Sequence, residues 1–211
     1  MPHRYDPENP NTAPADDFVR WLTAGGDATT IENYVLRGMT SHALPPRPDG
    51  SMLRVFHMTE RQVVDVVPHS HRFGFSCLVL RGTVENVIYR TAISTVRPAY
   101  GVLGRQTETV LLRPDHNLPP VDRHVYTSMY LGTPGSYKVS EPGELTTFYP
   151  DATTYKAGEW YSMEASEIHD IRFSYDAVVL FLEGPPETDV TITLGPPVVE
   201  PWMFRRVGGG A

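Results

Sequence analysis

The chain is organised around the stretch Pro68-His69-Ser70-His71-Arg72-Phe73-Gly74-Phe75-Ser76-Cys77-Leu78-Val79-Leu80-Arg81-Gly82, in which two histidines head an apolar run. Successive side chains of a β-strand alternate between its faces, so His69 and His71 are predicted to point the same way. The same parity places four apolar residues on their face: Phe73, Phe75, Cys77 and Val79. Two neutral imidazoles that face an apolar cavity are a natural half of a divalent metal site.

The composition is that of a globular protein rich in turns. A length of 211 residues suits one domain, with or without a small extension. The 20 prolines and 17 glycines favour short strands and turns over long helices. The formal net charge of −7, with no cluster of Lys and Arg, argues against a nucleic-acid-binding surface.

The cellular location is predicted from three features. The single cysteine, Cys77, excludes an internal disulfide framework and favours a reducing compartment. The opening MPHRYDPENP is polar and interrupted by proline, which is not typical of a signal peptide. The longest aliphatic run, from Ala177 to Leu182, is too short to span a bilayer. We therefore expect a soluble, cytoplasmic protein with no membrane partner.

Residues 1–50 are predicted to form an arm and two helices that pack on the following domain. One helix is expected from about Pro14 to Ala24, where apolar residues recur at helical spacing. The second begins near Thr29, whose spacing to Glu32 is that of a capping box, and ends near Gly38.

From Ser51 onward the pattern changes to short strands separated by turn residues. Strands are expected at Leu53–His57, Gln62–Val67, Phe73–Arg81, Val84–Thr91, Thr107–Leu112, His124–Leu131, Ser136–Val139, Leu145–Tyr149, Thr153–Lys156, Ile168–Phe173, Ala177–Leu182 and Val190–Leu194. Many short strands with no helix between them are typical of an antiparallel sandwich or barrel. We assign this mainly-β domain to 51–195 and a C-terminal tail to 196–211.

A third metal ligand is sought among the remaining histidines. His116 lies in a polar turn, and His124 begins a predicted strand. His169 also heads a predicted strand, and Ile171 and Phe173 share its face. We therefore expect His169 to complete the site, with His124 as the competing candidate.

The first stretch resembles the first motif of the cupin superfamily, Gly-x5-His-x-His-x3,4-Glu-x6-Gly. Three residues match it: His69, His71 and Gly82. Val63 stands at its leading glycine, and Phe75 or Ser76 stands at its glutamate. The resemblance implies a cupin-type antiparallel β-barrel, or jelly roll, whose metal site is formed by two motifs.

The stretch around His169 resembles the second cupin motif, Gly-x5-Pro-x-Gly-x2-His-x3-Asn. Two residues match it: Gly158 and His169. Three others replace its proline, glycine and asparagine: Glu164, Ser166 and Phe173. The long stretch 92–155 between the two motifs is expected to carry additional structure.

The missing glutamate makes the chain similar to the cysteine dioxygenase and thiol dioxygenase branch, which uses three histidines alone. That branch also places a short helical section before the barrel. The resemblance implies a mononuclear non-haem iron(II) oxygenase that acts with O2 on a small thiol or other small organic acid. Manganese, nickel and zinc stay open because imidazole binds all of them.

Three alternatives to the oxygenase remain at this point. They are a non-oxidative metal-bound isomerase or lyase, a non-catalytic cupin that binds a small ligand, and a metal-free β-sandwich. Because cupins commonly pair through edge strands, a homodimer also stays open.

Six further residues complete the candidate site: Arg54, Phe73, Phe75, Cys77, Tyr89 and Tyr161. The tyrosines are the catalytic candidates: Tyr89 as a proton donor or a satisfied core residue, and Tyr161 as a residue that orients a ligand imidazole. Arg54 is a candidate partner for a substrate carboxylate, as is Arg72. Phe73 and Phe75 are expected to wall the cavity. Cys77 is expected there as a small buried hydrophobe, and the cysteine–tyrosine crosslink of cysteine dioxygenases is not carried over to it.

Overall fold

A computed structural model describes residues 20, 24, 27–101, 104–131, 137–140 and 142–195. The elements of this part of the chain are the strands β1 (Thr29–Ile31), β2 (Met39–Ala43), β3 (Met52–Met58), β4 (Phe75–Arg81), β5 (Thr83–Thr91), β6 (Ile93–Gly101), β7 (Gly104–Leu112), β8 (Val121–Tyr130), β9 (Tyr137–Val139), β10 (Leu145–Lys156), β11 (Trp160–Met163), β12 (Ile168–Phe173), β13 (Val178–Glu183) and β14 (Val190–Gly195). Among these residues, no helix has the length and apolar character needed to cross a bilayer.

Two antiparallel sheets of six strands each carry the fold. The first has the order β1-β2-β3-β13-β4-β11, and the second has the order β12-β5-β10-β8-β14 with β9 added beside β8. Within the described part of the chain, strands β6 and β7 pair only with each other and form a separate ribbon. The mainly-β prediction is therefore confirmed, and the ribbon lies within the stretch for which additional structure was expected.

The predicted closed barrel is not what the described strands form. They make two sheets, and the core lies between them, since it combines first-sheet residues such as Val79 and Phe181 with Val84 and Phe173 of the second. Isolated bridges join His69 to strands β12 and β14 of the second sheet, without adding a strand. Short alternating strands suit a sandwich as well as a barrel, so the sequence pattern did not distinguish them.

The inner face of the first sheet is arranged in rows across its strands. Phe181 lies opposite both Arg54 and Cys77, and Cys77 lies opposite Tyr161. Directly opposed residues of antiparallel strands point to the same face, with Cβ atoms about 4.5–5.5 Å apart. One row across β3, β13, β4 and β11, which we call the central row, therefore contains Arg54, Phe181, Cys77 and Tyr161.

The predicted N-terminal helical section is wrong where the structure describes it. Thr29–Ile31 is a strand that pairs with β2, although its sequence has capping-box spacing. Asn33 has a φ of 52° and Gly38 one of 77°, and these left-handed residues prevent a continuous helix. The Asn33 side chain instead accepts a hydrogen bond from Gly38 N at 2.8 Å. The other predicted helix, 14–24, lies outside the described residues except for Arg20 and Ala24.

The predicted strand Gln62–Val67 is also wrong. Val63 and Val64 are 79% and 65% exposed. The Gln62 side chain, rather than a paired strand, bonds to the backbone of β12 here. Its amide donates to Ile171 O at 3.2 Å and accepts from Phe173 N at 2.9 Å. Four strands were not predicted as strands: β1, β2, β6 and β11.

Candidate metal centre and its cavity

The two halves of the site are joined through the backbone. His69 N donates to His169 O at 2.9 Å, and His169 N donates to His69 O at 3.0 Å. On the other side of the segment, Ser70 N donates to Ile192 O and Leu194 N donates to Pro68 O, both at 2.8 Å. The His69 segment is thus held between β12 and β14, and this fixes its histidines against His169.

The three predicted metal ligands converge. One ligand atom from each of His69, His71 and His169 lies within 4.8 Å of the others. The ring centroids of His69 and His71 are 4.8 Å apart, and His169 lies 5.4 Å and 5.1 Å from them. Among the described residues, no other group of three His, Cys, Asp or Glu side chains has this geometry.

Hydrogen bonds at Nδ1 leave Nε2 unprotonated in two of the histidines. His69 Nδ1 donates to Val67 O at 2.8 Å, and His169 Nδ1 donates to Asn86 Oδ1 at 2.6 Å. A neutral imidazole with its hydrogen on Nδ1 keeps an acceptor lone pair on Nε2. Both rings therefore present a ligand atom toward the cluster.

The imidazole nitrogens of His71 and His169 have a separation that would suit a shared metal ion. Two nitrogens about 2.05 Å from one ion, at about a right angle, lie about 2.9 Å apart. His71 Nε2 lies 2.9 Å from His169 Nε2. A hydrogen on His71 Nε2 can bridge this pair, and a bound metal ion would replace that hydrogen.

Burial keeps the three imidazoles neutral. It lowers the pKa of His69, and it lowers the pKa of His71 well below the usual value with a further contribution from the neighbouring His69 and His169. Burial, followed by the effect of His69, lowers the pKa of His169 to about 3. Neutral imidazole is the form that binds metal, so these residues could bind a metal ion without first losing a proton.

A cavity of about 220 Å³ lies beside the three imidazoles. Five phenylalanines form much of its wall: Phe56, Phe73, Phe75, Phe173 and Phe181. The Phe75 ring centroid lies 4.9 Å from that of His71 and 4.7 Å from that of Phe181. The aromatic surface therefore runs directly from the metal ligands into the cavity.

Cys77 and Tyr161 face this cavity as neighbours in the central row. Burial raises the pKa of the Cys77 thiol to about 12, although the Tyr161 hydroxyl lowers it slightly. Burial, with the adjacent Cys77, raises the pKa of Tyr161 well above its usual value. Tyr161 Oη is buried and has no hydrogen-bond partner among the described residues. Tyr161 therefore places a buried phenol, protonated at neutral pH, beside the Cys77 thiol in the cavity wall.

Arg54 also lines the cavity, where it is already paired. Its Nε donates to Glu183 Oε2 at 3.0 Å, and the two side chains are only 14% and 12% exposed. The Arg54 guanidinium lies 5.4 Å from the centroid of the Tyr34 ring. Glu183 completes a charge-balanced pair in the wall.

Two other candidates lie away from the cavity lining. Tyr89 Oη donates to Asp170 Oδ2 at 2.7 Å, and neither residue lines the cavity. Arg72 does not line the cavity either. Its Nη2 donates to Asp189 Oδ1 at 2.8 Å, and its guanidinium lies 3.7 Å from the centroid of the Tyr130 ring.

The competing histidines are likewise elsewhere. His116 Nδ1 bonds to Leu118 O at 2.9 Å, and His124 Nδ1 bonds to Gly143 O at 2.9 Å. Neither is part of the cluster.

Sequence reasoning missed Asn86 and Glu183. Asn86 is only 2% exposed and shares a strand face with apolar Val84 and Ile88, so a polar residue in an apolar row was the available signal. Glu183 similarly ends the apolar strand β13, on the face of Phe181.

Comparisons with known proteins add no family assignment. No protein-family model matches the chain, and no curated protein matches its sequence. One solved structure similar to the chain is hydroquinone 1,2-dioxygenase PnpCD in complex with Cd2+ and 4-hydroxybenzonitrile, with 13% identity and a TM-score of 0.33. That match covers 65% of this chain, which spans only 60% of the dioxygenase chain.

Another solved structure similar to the chain is Drosophila melanogaster CENP-C bound to CAL1. Its identity is 9% and its TM-score 0.39, with 83% of this chain and 100% of that chain covered. Identities and TM-scores this low carry no argument about function, so the function is argued from the site alone.

Proposed function

We infer that the chain is a metal-dependent oxygenase related to the cupins, with His69, His71 and His169 as its metal ligands and iron(II) as its metal. The observation that carries this proposal is the convergence of three neutral imidazoles, with ligand atoms within 4.8 Å, beside an apolar cavity. Iron(II) held by neutral ligands would supply the electrons and Lewis acidity that reactions between O2 and small organic molecules require.

The chain's own residues position the site and control its solvent. Asn86 holds the His169 ring through Nδ1, so that Nε2 faces the cluster. Phe73 and Phe75 line the cavity beside His71 and displace water from it. These contacts would give the reacting molecules a mainly apolar compartment.

Tyr161 is the proposed proton donor. Its side chain lines the cavity beside Cys77, and its Oη is buried in the cavity wall. Burial raises its pKa well above the usual value, so the phenol keeps its proton throughout the neutral range. A substrate oxygen that gains negative charge would receive a hydrogen bond from this hydroxyl.

Oxygen consumption tests the proposal. The full chain would be loaded with iron(II) without oxygen, and O2 uptake would be followed with a panel of small thiols, phenols and organic acids. We expect uptake with at least one panel compound, with loss of the activity in H169A and retention in H124A. Stoichiometric iron binding with no uptake from any compound would contradict the oxygenase and favour a non-oxidative metal protein.

A further inference from the structure

We propose that the cavity binds an uncharged molecule the size of a single ring, with one hydroxyl group held by the Arg54–Glu183 pair. This inference deepens the proposed function and rests on it for the reaction that follows binding. The binding itself is a property of the cavity and can be measured without metal.

Charge is the first argument, because the cationic side chain of the cavity is already neutralised. Arg54 is the only Lys or Arg among the described residues that line the cavity, and Glu183 accepts from its Nε at 3.0 Å. A carboxylate ligand would have to approach the Glu183 carboxylate or displace it from a largely buried pair. Arg72, the other candidate, lies outside the lining and is paired with Asp189. In the metal-free chain, the cavity therefore disfavours an organic acid.

Size and wall chemistry are the second argument. A dry apolar cavity of about 150 Å³ accommodates benzene. The cavity here has about 220 Å³, which leaves room for one ring and a small substituent. Phe56, Phe75 and Phe181 offer aromatic faces and edges, with centroids 5.2 Å apart for Phe56 and Phe181. Such walls favour a flat, apolar ring in offset or edge-on contact.

The unused hydrogen-bonding groups of the Arg54–Glu183 pair are the third argument, because they fit a hydroxyl group on the ligand. Within the pair, the structure uses Arg54 Nε and Glu183 Oε2, and it gives Glu183 Oε1 and the other guanidinium nitrogens no hydrogen-bond partner among the described residues. A hydroxyl group both accepts and donates, so it can take a hydrogen bond from Arg54 and give one to Glu183 at once. A ligand without a hydroxyl group gives Arg54 and Glu183 no such hydrogen bonds. It should therefore bind more weakly, because it would bury these polar groups without a partner.

Three ring compounds test this in the metal-free full chain by calorimetric titration at pH 7: phenol, benzoate and toluene. We expect phenol to bind at least tenfold more tightly than either benzoate or toluene. Competition between phenol and benzoate in the unaltered chain gives this ratio without relying on any variant. Equal or tighter binding of benzoate would overturn the proposal, as would the absence of binding by all three.

E183Q gives an independent check, because it removes the negative charge and keeps the side-chain shape. In this variant the charge of Arg54 is no longer neutralised, so benzoate should bind more tightly and phenol more weakly. The ratio of their affinities should shift by at least tenfold toward benzoate. D189N is the matched control, since it removes the carboxylate partner of Arg72 outside the cavity lining. It should keep the preference for phenol, and an equal shift in D189N would overturn the assignment to Glu183.

The two proposals fail in different ways. Tight phenol binding with no O2 uptake in the iron-loaded chain would remove the oxygenase and keep the ligand class. Oxygen uptake that requires an organic acid, with no use of uncharged rings, would remove the ligand class and keep the oxygenase.

Discussion

Asn86 Oδ1 accepts a hydrogen bond from His169 Nδ1 over 2.6 Å in the buried interior of the protein. The two residues lie on paired strands, since β5 and β12 are neighbours and Asn86 lies opposite Ile171. The Asn86 amide also donates to Met163 Sδ at 3.3 Å. Asn86 of β5 thus orients the imidazole of His169 on the neighbouring strand. The contact with Met163 in turn orients Asn86.

Replacement of Asn86 should therefore weaken metal binding. N86L removes the acceptor while keeping a side chain of similar volume, and we expect metal affinity to fall by about 10–100-fold. N86D keeps an acceptor for His169 Nδ1 and should bind metal at least as well as the unaltered chain. Chelator-competition titration measures both affinities.

N117L is the matched control for this prediction, because Asn117 is exposed and bonds to the Ala152 backbone. It should leave metal affinity unchanged. Full affinity in N86L would show that Asn86 does not position the ligand.

The residues of the cavity wall next to the histidines could be predicted from the alternation of side chains along a strand. His69, His71, Phe73, Phe75 and Cys77 all line one cavity, as period-two alternation predicts, although β4 itself begins only at Phe75. The residues between them do not line this cavity. Ser76 Oγ, for example, lies 2.7 Å from Ser162 Oγ in an exposed contact.

Other features depend on contacts that a local pattern does not contain. Thr29 and Glu32 have the spacing of a capping box, yet pairing with β2 makes Thr29–Ile31 a strand. Asn86 and Glu183 meet their partners only through sheet pairing and through an ion pair that spans 129 positions of sequence. Short-range spacing therefore predicts strand faces better than it predicts element type or the supports of the site.

The two glycines that match the cupin motifs should respond differently to alanine. Gly82 and Gly158 both have left-handed backbones, with φ of 73° and 89°. G158A should cost about 1–2 kcal/mol of unfolding free energy from backbone conformation alone, because its added Cβ meets open space. G82A should cost more, since its Cβ would come within 2.5 Å of Ser174 Oγ and 3.0 Å of Ala177 Cα. Urea unfolding measures both, and an equal loss would contradict the close approach at Gly82.

Acid should destabilise the metal-free chain. Burial lowers the pKa of His169 to about 3, whereas an unfolded histidine titrates near its usual value of 6.5. Between these two pH values the unfolded chain binds more protons, so stability rises with pH and is lost on acidification. The melting temperature should therefore fall as the pH is lowered from about 6.5 toward 3.

Replacement of His169 isolates its share of this pH dependence. H169Q should show a shallower loss of melting temperature than the unaltered chain, and H124Q, altered outside the cluster, should keep the full slope. Identical slopes in the unaltered chain and H169Q would contradict the assignment.

Cys77 should be inert in the folded protein. Burial raises its pKa to about 12, and only the thiolate reacts with alkylating reagents. At pH 8 a thiol of this pKa is ionised in roughly one molecule in ten thousand. Alkylation by iodoacetamide should be at least a hundredfold slower in the native chain than in denaturant. Similar rates would show that the thiol is exposed or ionised.

The central claim is that His69, His71 and His169 hold one metal ion, and metal titration of single variants tests it most directly. The unaltered chain and H124A should each bind one equivalent of iron(II) without oxygen, while H69A, H71A and H169A should lose stoichiometric binding. Thermal melts of each metal-free variant would establish that it is folded. Retention of one full equivalent at unaltered affinity by a folded H169A would contradict the account.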